Sequence, residues 1–378
     1  MINVLHFVSI PAKTSGVMSI LMNYYRHMDR TKIQFDFLCF IKPEATDSWK
    51  EEIERLGGHL YFIPKPGKSH SVQAMKDFFR SHCGYYSIMQ NHEVYLTWLL
   101  RPVSLKYGNI RKFIVQCHAT RYSDKGTAAL RNRFFCLPIR QMKGISRAAC
   151  SRAAGEFLFG KNETENGNVF IMINAVEPER FRFSRRIREE ERGKYGVMNS
   201  DVLLGNVGRM VPQKNQEFLL VLLEKLLSGD QERSYKLMIV GNGPLEEKLR
   251  QSVHEKKLEA NVIFTGRLER VESVLCAMDL FLLPSIYEGL PVSQIEAESS
   301  GLKCLVSDQV TREAGIGPFS KYIPLDEKIW TETISEISMD GGNADRAGAT
   351  DYIRAAGFDI EGAVRQYEKY MERLAANG

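Results

Sequence analysis

The sequence predicts an α/β protein made of two doubly wound domains, each a parallel sheet with helices on both faces. Three observations predict it. Strand-like and helix-like segments alternate along most of the chain, the mark of βαβ units. The alternation runs in two blocks, with one heavily charged segment, "RRIREEERGKYG", between them. A length of 378 residues accommodates two ordinary domains.

The elements follow in order. In the first block, "INVLHFVS" reads as a strand, and Val17, Ile20, Leu21, Tyr24 and Met28 then recur at helical spacing. "IQFDFLCF", "HLYFIP", "YYSIMQ", "KFIVQCH" and "NVFIMINAV" read as further strands, with helical stretches between most of them. The charged segment reads as a solvated helix near a domain boundary. In the second block "VLLGNVG" is the apolar run of a buried strand. Leu219, Leu222, Leu223, Leu226 and Leu227 mark one face of the next helix, with Asn215 as its expected N-cap. "KLMIVGNG", "NVIFTG", "DLFLLPS" and "KCLVSD" are four more strands, and "MDGGNADRAGAT" reads as a loop. The last helix carries Val364, Tyr367, Met371 and Leu374 on one face. It has no strand to return to and is expected to pack back on the first domain. The expected domains are therefore 1–174, joined by the helix 361–378, and 175–360.

Bulk properties exclude several classes. The seven cysteines are scattered and form no C-x-x-C, which argues against a disulfide framework or a zinc site and for a reducing compartment. "MINVLHFVSI" lacks the basic start and cleavage site of a signal peptide. No apolar run approaches the ~18 residues that span a bilayer. A cytoplasmic protein with at most peripheral membrane contact is expected. The net charge of +5 names no partner, but its distribution is uneven. Between Arg101 and Gly160 there are twelve Lys and Arg, opposed only by Asp124 and Glu156. This block, 101–152, suits an anionic membrane face or a phosphorylated acceptor; a merely solvated basic surface is the alternative. Nothing points to nucleic acid.

The residues able to carry chemistry sit mostly just after strands, where open α/β sheets bind ligands. "RMVPQKNQEF" places two cations, Arg209 and Lys214, on a loop leading into a helix. Such a pair converges naturally on a diphosphate. Gly208 precedes them, and Gly241 and Gly243 in "GNGP" end the next strand. A glycine there lets a nucleotide approach the backbone closely. "GNGP" lacks the third glycine of a dinucleotide fingerprint. Arg267 and Leu268, in "FTGRL", could offer backbone groups to a flat base. "SIYEGLPVSQIEAESSG" places Glu288 before a helix start, Gly289-Leu290-Pro291-Val292 at it, and Glu296 inside it. A helix N-terminus attracts anions, and a carboxylate accepts two hydrogen bonds from a diol. In "IPAKTSGVMS", Ser15 and Gly16 present amides at another helix start, and His118 ends a strand in "VQCHAT". There is no D-x-D, no histidine cluster for a metal and no P-loop.

Together these residues resemble the retaining, nucleotide-sugar-dependent glycosyltransferases of the GT-B fold, family four. "GNVGRMVPQKN" is similar to that family's G-R-x(4)-K loop, and "VGNGPLEEKL" to its next strand and turn. "FTGRLERVESVLCAMDLFLLPSIYEGLPVSQIEAESSGLKCLVSD" is similar to its signature, with the E-x(7)-E pair at Glu288 and Glu296. "NAVEPERF" resembles its interdomain segment, with alanine and glutamate where glycine and aspartate are usual. The resemblance implies two Rossmann-like domains facing across a cleft, and a nucleotide sugar, most often UDP-linked, as co-substrate with no further cofactor. Glu288 would bind donor-sugar hydroxyls, the amides from Gly289 to Val292 the sugar and diphosphate, and Glu296 the ribose. Arg209 and Lys214 would neutralise the leaving group in place of a metal, and His118 would help orient the donor. The implied acceptor is a growing glycan on a polyprenyl-diphosphate lipid. Where many relatives carry Gly-Gly before the first helix, this chain has Ser15-Gly16. Two other readings share the architecture. One is a UDP-sugar 2-epimerase, whose acid/base carboxylates in the first domain the sequence does not show. The other is a donor-binding subunit without catalysis.

Overall fold

The computed structural model describes residues 1–68, 70–122, 126–229, 232–337, 346 and 348–376. The chain divides into two compact units. One is Met1–Ala175 with Ile360–Gly378, and the other is Val176–Asp359.

The first unit is built on seven parallel strands: β1 (Ile2–Phe7), β2 (Ile33–Cys39), β3 (Leu60–Phe62), β4 (Ile88–Asn91), β5 (Lys112–Cys117), β6 (Ser146–Ala149) and β7 (Val169–Ile171). Their order is β3-β2-β1-β4-β5-β6-β7. The chain winds outward from β1 to β3, then crosses to β4 on the other side of β1. The loops after β1 and β4 therefore diverge at a topological switch point, the place where such sheets bind ligands. β6, "SRAA", has no β-branched residue and only two buried small ones. It is a strand because β5 and β7 pair with it on both sides, and so the sequence alone does not show it. The C-terminal helix Ile360–Ala376 belongs to this unit, as its apolar face requires. Ile360, Ala363, Val364, Tyr367 and Met371 are buried in the core with Tyr24, Phe35 and Phe37. The Tyr367 hydroxyl donates to Gln90 Oε1 at 2.9 Å.

The second unit has six parallel strands: β8 (Asp201–Val207), β9 (Ser234–Val240), β10 (Val262–Gly266), β11 (Leu280–Leu283), β12 (Lys303–Ser307) and β13 (Ser320–Ile323). Their order is β10-β9-β8-β11-β12-β13, and the switch point lies between β8 and β11. β11 is buried along its whole length, which explains its unbroken apolar sequence. The edge strand β13, "SKYI", is too short and too polar to be read from sequence.

Two expectations are corrected here, and a third is tested only at its end. The charged helix Arg185–Lys194 is not simply solvated. Arg192 is 2% exposed and donates to Asp279 and to the carbonyls of Ala277, Met198 and Asp201. Arg188 reaches the same carboxylate and the carbonyls of Cys276, Ala277 and Met278. These two arginines thus satisfy the open carbonyls at the end of helix Val271–Ala277. Asn215 is not a side-chain N-cap. It lies in the left-handed region (φ 53°) and its amide donates to Pro284 O at 3.2 Å. The stretch expected as a loop, 339–350, lies largely outside the described residues, and its last two residues already begin the helix Ala349–Ala355.

Candidate active site

In the second unit the loops after β8 and β11 meet at the switch point. Ile286 N donates to Gln213 O at 2.9 Å, and Gln213 Nε2 donates to Tyr287 O at 2.9 Å and to Glu288 Oε2 at 3.3 Å. Lys214 Nζ stands 2.6 Å from Glu288 Oε1. Glu288 is only 8% exposed, so its charge requires such a partner. Gly208 makes room for this arrangement: a Cβ there would stand 3.3 Å from Lys214 Cε. Beyond Glu288, residues Gly289, Leu290 and Pro291 are buried, and helix Val292–Ser299 begins. Its first-turn amides, at Val292 and Ser293, lack acceptors within the helix. Lys214 thus places an ammonium, and Glu288 a carboxylate, beside an amide-rich turn.

Glu296 lies one helical turn further in. Burial pushes its carboxyl up to about 7; the positive charge of Arg180 and then that of Lys214 pull it down, while the charge of Glu272 adds to the rise. Arg180 itself bonds Glu272 at 3.2 Å. The glycines of "GNGP" also have a packing role. Gly241 adopts φ +126°, and a Cβ there would come 2.2 Å from Gly208 O. At Gly243 a Cβ would come 2.4 Å from Met210 O. They are glycines because the loop after β9 packs directly on the backbone of the loop after β8. Arg209 and Arg267 are exposed, and neither takes part in the Lys214–Glu288 pair. Leu268 beside Arg267 is half-buried.

In the first unit, Ser15 caps helix Gly16–His27: its hydroxyl accepts from Met18 N at 3.4 Å. Its own amide is taken by Ala12 O at 2.9 Å, so of the expected pair Ser15 offers none. Gly16 faces open space, with nothing within 4 Å of a built Cβ. His118 follows β5 and is half-buried. Its Nε2 lies 2.8 Å from Nδ1 of His92, and burial lowers its pKa to about 4.

The profile of the family "Glycosyl transferases group 1" matches residues 187–316, which hold every one of these second-unit residues except Arg180. The putative glycosyltransferase EpsF of Bacillus subtilis (strain 168) is 30% identical over 369 residues, 95% of this chain and 93% of that protein. The chain belongs to the group 1 glycosyltransferases. A UDP-Gal:alpha-D-GlcNAc-diphosphoundecaprenol alpha-1,3-galactosyltransferase of Escherichia coli is 20% identical over 303 residues, covering 78% of this chain and 76% of that one. Among solved structures, Anabaena Alr3699/HepE in complex with UDP-glucose shares the fold, with a TM-score of 0.77 and 14% identity over 99% of this chain and 100% of that one. The fold is accordingly GT-B.

In this glycosyltransferase the structure brings together Gly208, Lys214, Glu288 and the turn from Gly289 to Val292, with Glu296 close enough to feel the charge of Lys214. Sequence reading missed two residues. Gln213 ties the two loops and holds the second oxygen of Glu288; its only signal was its place beside Lys214 in "VPQKN". Arg180 acts on Glu296 from a position 116 residues upstream in "EPERF", and no local pattern announces that.

Proposed function

We propose that this glycosyltransferase moves a hexose or N-acetylhexosamine, with retention, from a UDP-sugar to a growing glycan on a polyprenyl-diphosphate lipid in surface polysaccharide synthesis. The observation that carries the reading is the Lys214–Glu288 pair beside the turn into helix Val292–Ser299. An ammonium has three donors. Glu288 pairs with it by charge at 2.6 Å, which leaves donors for a diphosphate, and the first-turn amides add more. Glu288 binds sugar hydroxyls, Glu296 the ribose diol, and Arg209 the outer phosphate. Arg267 and Leu268 frame the base. Gly16 in the first unit offers an amide, and His118 orients the donor. The bond from the anomeric carbon to the diphosphate oxygen breaks. The acceptor oxygen bonds to that carbon on the same face, and the acceptor's proton passes to the departing phosphate. Lys214 and Arg209 meet the charge that develops there, so the scheme assigns no metal ligand and no protein nucleophile. Support for the donor base and the acceptor comes from the Escherichia coli relative, named for UDP-Gal and a diphosphoundecaprenol.

The test is thermal unfolding against UDP-, GDP- and ADP-sugars. A ligand at ~100 times its Kd adds about 2.7 kcal/mol, or roughly 5–10 °C for domains of this size. The shift is expected with UDP-sugars and lost in Glu296→Ala. An ionised carboxylate accepts from both hydroxyls of a diol in charge-assisted bonds, stronger than those to the neutral acid, so the shift should grow as pH rises through about 7. No shift with any nucleotide, or one that Glu296→Ala leaves intact, sinks this donor site.

A lipid acceptor calls for a peripheral position at the inner membrane face. No described helix is long and apolar enough to cross a membrane. Helix Gly126–Cys136 exposes Leu130 (72%) and Phe134 (75%) one turn apart, with Arg131 and Arg133 beside them. Trp98, also exposed, donates to Phe135 O at 2.7 Å. Of the basic block, Arg101, Arg140 and Arg147 are spent on carbonyls of this unit, and Lys125 with Asp124 lies outside the described residues. The exposed arginines and apolar rings together fit an anionic bilayer. Burial of one large apolar side chain contributes ~1.5–3 kcal/mol. Leu130→Ala/Phe134→Ala should therefore cut sedimentation with phosphatidylglycerol vesicles about tenfold or more. Undiminished sedimentation would remove this helix from the contact.

A further inference from the structure

The first unit holds a second histidine system behind His118. His6 lies on β1, His92 follows β4, and His118 follows β5, on three strands that are neighbours in the sheet. His6 Nδ1 stands 3.0 Å from His92 Nε2, and His92 Nδ1 stands 2.8 Å from His118 Nε2. The rings follow one another edge to edge, with centroids 5.3 Å and 5.1 Å apart. The row runs from the core outward. His6 is fully buried between Phe35 and Phe37, His92 is 8% exposed, and His118 is the open end.

A row of neutral imidazoles has only two proton arrangements, because each ring carries one N–H and one lone pair. In the first, every N–H points inward, and His6 Nε2 ends the row with a buried N–H. In the second, every N–H points outward, His6 Nε2 is a bare lone pair, and His118 carries its proton on Nδ1. His6 Nε2 is buried and has no hydrogen-bond partner among the described residues. Orphaned buried N–H groups are rarer than under-satisfied acceptors, so the second arrangement is favoured. The closed inner end also means that no proton leaves through His6: the row is a clamp, not a conduit.

Among the described residues no carboxylate opposes it. The charges that act on His92 are those of His118 and His6. Asp36, on the neighbouring β2, pairs in register with Leu5 and so faces the other side of the sheet. There it holds His59 and Tyr86. Glu93, next in sequence to His92, is bonded by Ser9. Burial lowers the proton affinity of all three rings.

We propose that His92 and His6 are positioning residues that hold His118 neutral, with its proton on Nδ1, so that it meets its substrate as a hydrogen-bond donor. This rests on the reading of His118 as a donor-orienting residue. Histidine-ring nitrogen NMR tests it without an activity assay. In the wild type at about pH 7, His118 and His92 should both show the Nδ1–H tautomer. His92→Phe removes the clamp: His118 should lose that single tautomer. His92→Asn keeps an amide where Nδ1 stood, and so should restore the Nδ1–H tautomer of His118. His92→Gln, which reaches only toward His6, should not. An Nε2–H tautomer at His118 in the wild type overturns the proposal, as does an unchanged ring in His92→Phe. Saturating UDP-glucose, UDP-galactose and UDP-N-acetylglucosamine are then added to the wild type. If none moves the His118 signals, the donor-orienting reading fails and takes the positioning role with it. If one does move them while His92→Phe keeps the tautomer, the positioning role alone fails.

Discussion

Lys214→Ala is expected to lower turnover by about 10²–10³, the scale of removing one group that meets developing charge. The argument rests on where Lys214 sits. Its ammonium is 2.6 Å from Glu288, in a site where both side chains are largely removed from water. Charge stabilisation is stronger there than at the surface. The substitution also leaves a buried carboxylate unpaired, and removing one partner of a buried pair costs ~3–5 kcal/mol at most; the residual exposure of this one lowers that. Lost folding and lost catalysis must therefore be separated. Lys214→Met/Glu288→Gln removes both charges while keeping the volume. It should unfold in urea near the wild-type midpoint and yet turn over more slowly than Glu288→Gln alone, which keeps Lys214. Wild-type turnover in Lys214→Ala would end the assignment. Turnover in the double variant equal to that of Glu288→Gln would show that Lys214 serves only to keep Glu288 folded.

The parts of this architecture that rest on local pattern were legible in the sequence. The apolar runs at β1, β2, β8 and β11 and the leucine face of helix Gln216–Gly229 are strong signals because burial alone dictates them. The carboxylate spacing from Glu288 to Glu296 was legible for a different reason: a turn and a helix start fix it locally. What remained hidden is long-range. β6 is a strand only through its neighbours, and Arg192 is buried only because Asp279, 87 residues away, receives it. The glycines of "GNGP" looked like ligand-facing residues. Their need arises from Gly208 and Met210, which sequence proximity does not reveal. The histidine row is the extreme case. Its members are separated by 86 and 26 residues, and no motif links them.

That row carries the second large expected effect, a loss of stability of the first unit in acid. His6 is held near about 3, and His92 is also held well below the ordinary 6.5, both chiefly by burial. Both are neutral in the folded state, whereas the unfolded chain binds protons at each as pH falls below 6.5. Their contribution is thus complete above 6.5 and is lost on acidification. Each group changes stability by up to ~1.4 kcal/mol per pH unit in that window. From about pH 7 to about pH 5 the two together cost ~4 kcal/mol, a large share of the ~5–15 kcal/mol that keeps a domain folded. The second unit should respond with the opposite sign. Glu298 is fully buried, and burial raises its carboxyl to about 7 against the hydrogen bonds from Ser320, Gln294 and Ile316 N. The unfolded chain ionises it first, so its contribution falls as pH rises from 4.5 through 7, by ~3 kcal/mol in all. Urea unfolding followed by peptide-resolved hydrogen exchange reports the two units separately. Peptides of β1, β4 and β5 should lose protection on acidification, while those of helix Val292–Ser299 and β13 gain it. His6→Phe, set among Phe35 and Phe37, should flatten the acid loss, and Glu298→Gln the alkaline one. If both units weaken together in acid, and neither variant changes the slope, these buried groups do not govern the pH dependence.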